Sequence, residues 1–396
     1  MEIVLIRMSF VDYYKLGYGT FGPFLLGLSS WLREQVIANR DKKVFFFSRD
    51  GFMIQNAWIL FEKMKPIGIE QSYAYFSRNS LRRALLWKCN SYEDSLKYLS
   101  KERFTDVANI ASYYGLSYHD IQKVIDDVGL GWEEPLLLER LPENKKVRRV
   151  YELNRNKIYQ LSYLQYKNIL AYLSQIGMSG NCAIVDIGWN GSMQYYLEKI
   201  IETGGVNASI NGYYVGMSQT VPIKGHAEGY IFSKGNLNQR KSVTCFFGVF
   251  EKFLQSFEGS TDSYKEDGPT IRPVLKAYEY EDDMRVADCI KAFQEGALRY
   301  VKEAINKNIV FPKKEDAYKS LIRFGKSPTY AETQMFRFFY NTDGEKQYFI
   351  PQKPIYKYRP KEFIYDLSNS VWKTGFMKAA FRIPFPYFWI YNLIRK

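Results

Sequence analysis

The stretch Val44-Phe45-Phe46-Phe47-Ser48-Arg49-Asp50-Gly51 decides the fold. Four consecutive apolar residues without polar alternation suit a strand covered on both faces, as strands of a parallel sheet are. Ser48-Arg49-Asp50-Gly51 is turn chemistry, and Ile54, Ala57, Trp58 and Phe61 then recur at helical spacing, so the segment reads strand–loop–helix. Downstream, Ser72-Tyr73-Ala74-Tyr75-Phe76 repeats the pattern, ending in Ser77-Arg78-Asn79-Ser80 before a helix over Leu81 to Trp87. A third run, Cys182-Ala183-Ile184-Val185, gives way to Asp186-Ile187-Gly188-Trp189-Asn190-Gly191-Ser192 and a helix carrying Met193, Tyr196, Leu197 and Ile200. Gly212 to Met217 reads as a fourth strand. Strands alternating with helices through short connections predict an α/β fold: a doubly wound, mostly parallel, Rossmann-like sheet.

The remaining segments fit around that core. A glycine-punctuated stretch, Gly17 to Pro23, leads into a helix before the first strand, and the core is expected to comprise residues 1–90 and 178–280. Residues 91–177 are polar and helical, with helices near 91–101, 104–113, 117–127 and 147–176, and read as a large helical cap insertion. Residues 220–280 give a mixed signal around Phe250-Glu251-Lys252-Phe253-Leu254 and the turn-rich Glu258 to Asp262. Helices near 284–307 and 314–323 form a helical C-terminal region over 281–345. Residues 346–396 read as an extended connector leading to a basic aromatic tail.

Composition narrows the function. The chain has 396 residues, 46% of them hydrophobic, enough for a large core. Lys and Arg outnumber Asp and Glu by 55 − 42 = 13, which favours an anionic partner: a phosphorylated sugar, a lipid surface or nucleic acid. No nucleic-acid motif accompanies the charge, so that partner is the least supported. Aromatic residues make up 17%, with 33 Tyr and 28 Phe, which suits stacking on sugar rings or a biased composition equally. Cys89, Cys182, Cys245 and Cys289 lie far apart, so neither a zinc cluster nor a disulfide framework is indicated and a reducing cytoplasm fits best. His119 and His226 are the only histidines, leaving few candidates for a Ser-His-Asp site, and His119 reads as a surface residue. Met1 to Met8 lacks a signal-peptide pattern, and no apolar run approaches the roughly 20 residues of a membrane span.

In an open parallel sheet, ligands bind beyond the carboxyl ends of the strands. Asp50 and Asp186 are therefore expected to reach one crevice from neighbouring strands, Ser77 to offer its hydroxyl to a phosphate oxygen, and Arg49 and Arg78 to supply charge. The loop Gly188-Trp189-Asn190-Gly191-Ser192 opens a helix, where backbone N–H groups receive anions. Each such residue also serves as an ordinary turn or helix cap. The tail from Val371 to Lys396 interleaves Trp372, Phe376, Phe381, Phe385 and Trp389 with Lys373, Lys378, Arg382, Arg395 and Lys396. It suits either an anionic membrane surface, at the inner face of the cytoplasmic membrane, or docking on the protein itself.

The runs Val44 to Phe52, Phe76 to Leu81 and Ile184 to Ser192 together resemble the haloacid dehalogenase (HAD)-like proteins of bacterial surface-polysaccharide biosynthesis clusters. The resemblance spans roughly residues 17 to 275, with Phe250-Glu251 and Gly259-Ser260 as its weaker part. It implies Asp50 as general acid/base, Ser77 and the Gly188–Ser192 loop as phosphate contacts with Arg49, Gly51, Arg78 and Glu251, and Mg²⁺ held by Asp186 and Asp50. Ser48 falls where the family has its nucleophilic aspartate; shifting the register to make Asp50 the nucleophile leaves Phe52 in the acid/base place. Lys157 is the candidate for the lysine that steadies the phosphate. The resemblance implies phosphoryl hydrolysis or transfer on a phosphorylated sugar, nucleotide sugar or lipid-linked phosphate. The missing aspartate opens glycosyl transfer from an activated donor, or a non-catalytic binding or scaffold role.

Overall fold

The apolar run at Val44–Phe47 forms an inner strand of the sheet. In the computed structural model, which describes residues 9–99, 104–343 and 345–394, strand β1 (Lys43–Phe47) is flanked by β2 (Glu70–Ala74) and β3 (Gly180–Trp189). Beyond β3 come β4 (Ala208–Met217) and β5 (Ala227–Phe232), giving a five-stranded sheet in the order β2-β1-β3-β4-β5 with every pair parallel. Alternate side chains face opposite layers. Val44 and Phe46 join Ala183, Val185 and Tyr213 in a core with the helices Gly22–Ala38, Phe52–Met64 and Met284–Asn306. Phe45 and Phe47 join Cys182, Ile184 and Tyr214 in a second core with the helices Lys145–Gln175 and Ser192–Gly204. Helices on both faces make the sheet doubly wound, as the buried runs predict.

The chain leaves β1 to one side for β2, then returns to build β3, β4 and β5 on the other. The order therefore reverses between β1 and β3, and a crevice opens at such a switch point. The register, Lys43 beside Cys182 and Phe46 beside Val185, sets Ser48–Asp50 next to Asp186. Asp186 does not terminate its strand: β3 runs on to Trp189 against β4, so Asp186 lies where pairing with β1 stops. β4 starts at Ala208 rather than Gly212, and β5 falls in the stretch that the sequence leaves mixed, together with an antiparallel hairpin of β6 (Thr261–Asp267) and β7 (Thr270–Leu275).

The insertion is helical, with Tyr92–Leu96, Val107–Tyr114, Tyr118–Val128 and the first half of Lys145–Gln175 sharing their own small core. It supplies none of the described residues lining the crevice, which is the part a cap would play. Residues 346–364 are not an extended connector. The chain forms a hairpin, Tyr340–Asp343 with Glu345–Tyr348, then a single turn at Ile355–Lys357 and a helix, Pro360–Asn369. Pro360 occupies the first helical turn, where its missing N–H costs nothing, so prolines that look like linker punctuation start a helix. The tail divides: Val371, Trp372, Phe376 and Met377 are buried, and Trp372 donates its indole N–H to Gly325 O at 2.9 Å. Met1 to Met8, residues 100–103, and the tail residues Arg395 and Lys396 lie outside the described residues.

Candidate functional site

Beyond the carboxyl ends of β1 and β3 lies a cavity of about 360 Å³. Ser48, Arg49, Asp50, Ser77, Arg78, Asp186, Gly188, Trp189, Gly191, Ser192 and Glu251 all line it, so residues far apart in the chain meet in one place. Gly51 and Asn190 do not line it. A Cβ on Gly51 would lie 2.7 Å from Phe47 O, so this glycine lets the turn close on its strand. Lys157 sits on the insertion in an ion pair with Asp120, away from the cavity.

The loop after β1 distributes its side chains three ways. Ser48 Oγ lies 3.3 Å from both Phe76 O and Thr261 Oγ1, and its backbone N–H donates to Ala74 O, so its hydroxyl is engaged in tying three segments together. Arg49 donates to Glu279 at 2.8 Å and to Gln255 Oε1 at 2.7 Å. Lys252, buried on the helix Phe247–Leu254, donates to the same Glu279 carboxylate. Asp50 points to the cavity and makes no hydrogen bond among the described residues. Ser77 caps the helix Arg78–Arg83, accepting from Ser80 N at 3.0 Å, and donates to Thr261 O at 2.5 Å. Arg78, exposed at the rim, has neither an ion pair nor a hydrogen bond among the described residues.

Electrostatics follow from burial and these contacts. Burial raises Asp50 to about 6, against the pull of Arg49. Burial also raises Asp186, to about 7, with the charge of Asp50 adding to it and the backbone N–H groups of Ile187 and Gly188 opposing. Two carboxyls pushed towards neutrality in one crevice are the arrangement expected of acid/base chemistry or of a cation site. Glu279 behaves differently. Burial would raise it, but Lys252 and Arg49 outweigh burial and hold it down at about 2. Lys252 is nonetheless lowered, because burial and the neighbouring Arg49 charge together exceed its attraction to Glu279. Both ends of this ion pair are thus lowered, which favours the charged form of Glu279 and disfavours that of Lys252. We take Glu279 as firmly anionic, since Arg49 grips both its oxygens, and Lys252 as the more weakly held proton.

Gly188 and Gly191 shape the back wall. Gly188 has φ +98°, and a Cβ there would lie 2.6 Å from Gly216 O on β4; Gly191, at φ +79°, caps the helix Ser192–Gly204. The Trp189 ring stacks on Phe232 and meets Phe250 edge-on, so it braces the wall from inside the core. Sequence reasoning misses Gln255, Lys276 and Glu279, and does not single out Lys252. Its signal is present for Lys252, a charge inside the apolar helix run Phe250 to Leu254, and faintly for Glu279, an acid between Tyr278 and Tyr280.

Among the described residues no group of three His, Cys, Asp or Glu side chains is placed to hold a metal ion. Asp50 and Asp186 fit a Mg²⁺-type ion that takes its other ligands from water and phosphate oxygens, the usual manner of Mg²⁺ at phosphate sites. No protein-family model matches the chain, and no curated protein matches its sequence.

Proposed function

We propose that the chain is a HAD-like protein that binds a phosphorylated sugar, nucleotide sugar or lipid-linked phosphate in surface-polysaccharide assembly and catalyses direct transfer from it. The observation that carries this reading is the pairing of Asp50 and Asp186 across the switch point, opposite the guanidinium of Arg78, which is unpaired among the described residues. Arg78 and the N–H groups at the start of Ser192–Gly204 suit phosphate oxygens. Asp186, with Asp50, would hold Mg²⁺, whose chemistry is to neutralise phosphate charge.

Ser48 supports transfer over hydrolysis through a covalent enzyme intermediate. Its hydroxyl is engaged with Phe76 O and Thr261, and neither histidine approaches it: His119 is exposed on the insertion and His226 faces Glu228. Asp50, raised towards neutrality and free of hydrogen bonds among the described residues, suits a base that accepts the proton of an acceptor hydroxyl. The acceptor oxygen would then attack the donor directly, either at phosphorus, breaking the P–O bond to the departing sugar or phosphate oxygen, or at the anomeric carbon, breaking the C1–O bond so that the phosphate or nucleoside diphosphate departs. Glycosyl transfer gains from the same observation.

Calorimetry with UDP-glucose and with glucose 1-phosphate, each with Mg²⁺, tests the ligand class, and p-nitrophenyl phosphate tests hydrolysis. Binding of either sugar ligand without hydrolysis of the generic ester is expected. Asp50→Asn should keep binding and lose transfer. Rapid hydrolysis of p-nitrophenyl phosphate would reject direct transfer, and failure of both ligands to bind would reject the ligand class.

A further inference from the structure

We propose that the C-terminal end of the chain is a docking face for an anionic lipid bilayer, an inference independent of the reaction at the cavity. The helix Tyr387–Ile394 sorts its own side chains. Tyr387 and Tyr391, four residues apart, are buried, whereas Trp389 and Leu393, also four apart, are exposed, Trp389 to 57%. That spacing puts each pair on one face, so an apolar stripe faces solvent on a helix whose opposite stripe is anchored. Ile383 and Phe385, exposed in the preceding turn, extend it. Scattered exposed apolar residues are ordinary; a contiguous set marks a contact.

Charge identifies the occupant. The adjoining helix Pro360–Asn369 is locked to the tail by ring contacts of Phe363 with Phe376 at 5.6 Å and with Phe381 at 5.7 Å. Over residues 357–382 the chain carries Lys357, Arg359, Lys361, Lys373, Lys378 and Arg382 against Glu362 and Asp366, and Glu362 already holds Lys353. An apolar stripe beside excess positive charge matches the acyl boundary and head groups of an anionic bilayer, which uses both features at once. A second copy of the chain would bring the same positive charge and be repelled. No helix among the described residues is long and apolar enough to cross a membrane, so the contact lies on the surface. The anchor reaches inward as well: Gly248 N–H donates to Val371 O, and Gly248 belongs to the helix that carries Glu251 and Lys252 into the cavity.

The test is co-sedimentation of the full chain with vesicles of phosphatidylcholine and phosphatidylglycerol in equal parts, against phosphatidylcholine alone. The parent should bind the mixed vesicles and release at high salt. Trp389→Ser with Leu393→Ser, and separately Lys357→Glu with Lys361→Glu, should each weaken binding by about tenfold or more with thermal unfolding unchanged, since all four side chains are exposed. Brominated lipid should quench the parent's fluorescence and not that of Trp389→Phe, because Trp372, the other tryptophan of the tail, is buried. No binding by the parent, equal binding by either double variant, or a parent dimer that Trp389→Ser with Leu393→Ser converts to monomer would overturn the proposal. The last outcome would assign the face to a second copy.

Discussion

Arg49 and Glu279, 230 positions apart in the chain, meet at 2.8 Å between Ser48 and Asp50 on one side and the segment after β7 on the other. The contact closes the cavity wall with a charged cluster, since Lys252 and Gln255 join it. Its members are mostly withdrawn from water, so the cluster matters more for what its loss would leave behind than for its net attraction.

Glu279→Leu should therefore destabilise the fold by roughly 3–5 kcal/mol, because it strands Lys252 and Arg49 as neighbouring buried cations. Adding Lys252→Met to that variant should recover part of the loss, since one stranded charge disappears. Urea unfolding of both variants and of Lys252→Met alone completes the cycle. A double variant no more stable than Glu279→Leu would mean that the cluster does not act as an electrostatic unit.

The pH dependence should carry two opposite signatures. Asp50 and Asp186 are raised in the fold, so the native state holds protons that the unfolded chain has released, and stability falls as pH rises from about 4 through the raised values near 6 and 7. Glu279 is depressed, so its contribution is complete above the ordinary glutamate value and is lost as pH drops through about 2. Asp186→Asn should flatten the first limb and exceed the parent in stability at pH 8 by at least about 1 kcal/mol, since a tenfold change in proton affinity between the folded and unfolded chain is worth about 1.4 kcal/mol. Thermal melts from pH 3 to 8 report this directly, and a parent whose stability rises steadily to pH 8 would contradict it.

Much of this arrangement is legible in the amino-acid sequence, for a physical reason. Val44–Phe47 and Cys182–Val185 must be covered on both faces, which fixes β1 and β3 as inner strands and brings Asp50 beside Asp186. β5 escapes because Ala227-Glu228-Gly229 breaks its apolar run, and the hairpin of β6 and β7 because β6 is mostly polar while Arg272 and Pro273 interrupt β7. The uses of Ser48 and Ser77 are illegible for another reason: both hydroxyls bond to Thr261, a partner about two hundred residues away that no local pattern announces. The tail reads correctly in composition, but only packing tells that Trp372 belongs to the core and Trp389 to the surface.

Gly188 should tolerate no side chain. At φ +98° an L-residue is strained, and a Cβ would meet Gly216 O at 2.6 Å and Tyr214 Cβ at 2.8 Å, both fixed by the pairing of β3 with β4. Gly188→Ala should cost about 2 kcal/mol or more and displace Asp186, two residues away. Gly68→Ala is the control, since its φ of +72° is also positive and no atom lies within 4 Å of a new Cβ. Equal losses in the two variants would show that backbone strain alone acts, without the clash against β4.

Arg78 and Ser77 are neighbours at the rim, and the structure gives them separate tasks that binding and unfolding measurements can tell apart. Ser77 Oγ accepts from Ser80 N and donates to Thr261 O, so both its capacities are engaged inside the protein. Ser77→Ala should cost about 1–2 kcal/mol of stability through the lost cap and the stranded carbonyl. A ligand phosphate would gain little from that hydroxyl, so affinity should change less than stability. Arg78 is the reverse case: exposed at the rim and free of ion pairs and hydrogen bonds among the described residues, it acts on the fold only through its charge, a minor influence on Asp50 and Asp186. Arg78→Ala should leave the unfolding midpoint unchanged and weaken a phosphorylated ligand by about 2 kcal/mol, roughly thirtyfold in Kd, the worth of one charge-assisted hydrogen bond. Arg78→Lys should recover only part of this, because a lysine cannot grip two phosphate oxygens in one plane. If Arg78→Ala binds sugar phosphates as the parent does while Ser77→Ala does not, the phosphate lies deeper, against Ser77 and Thr261, and the rim guanidinium has no part in holding it.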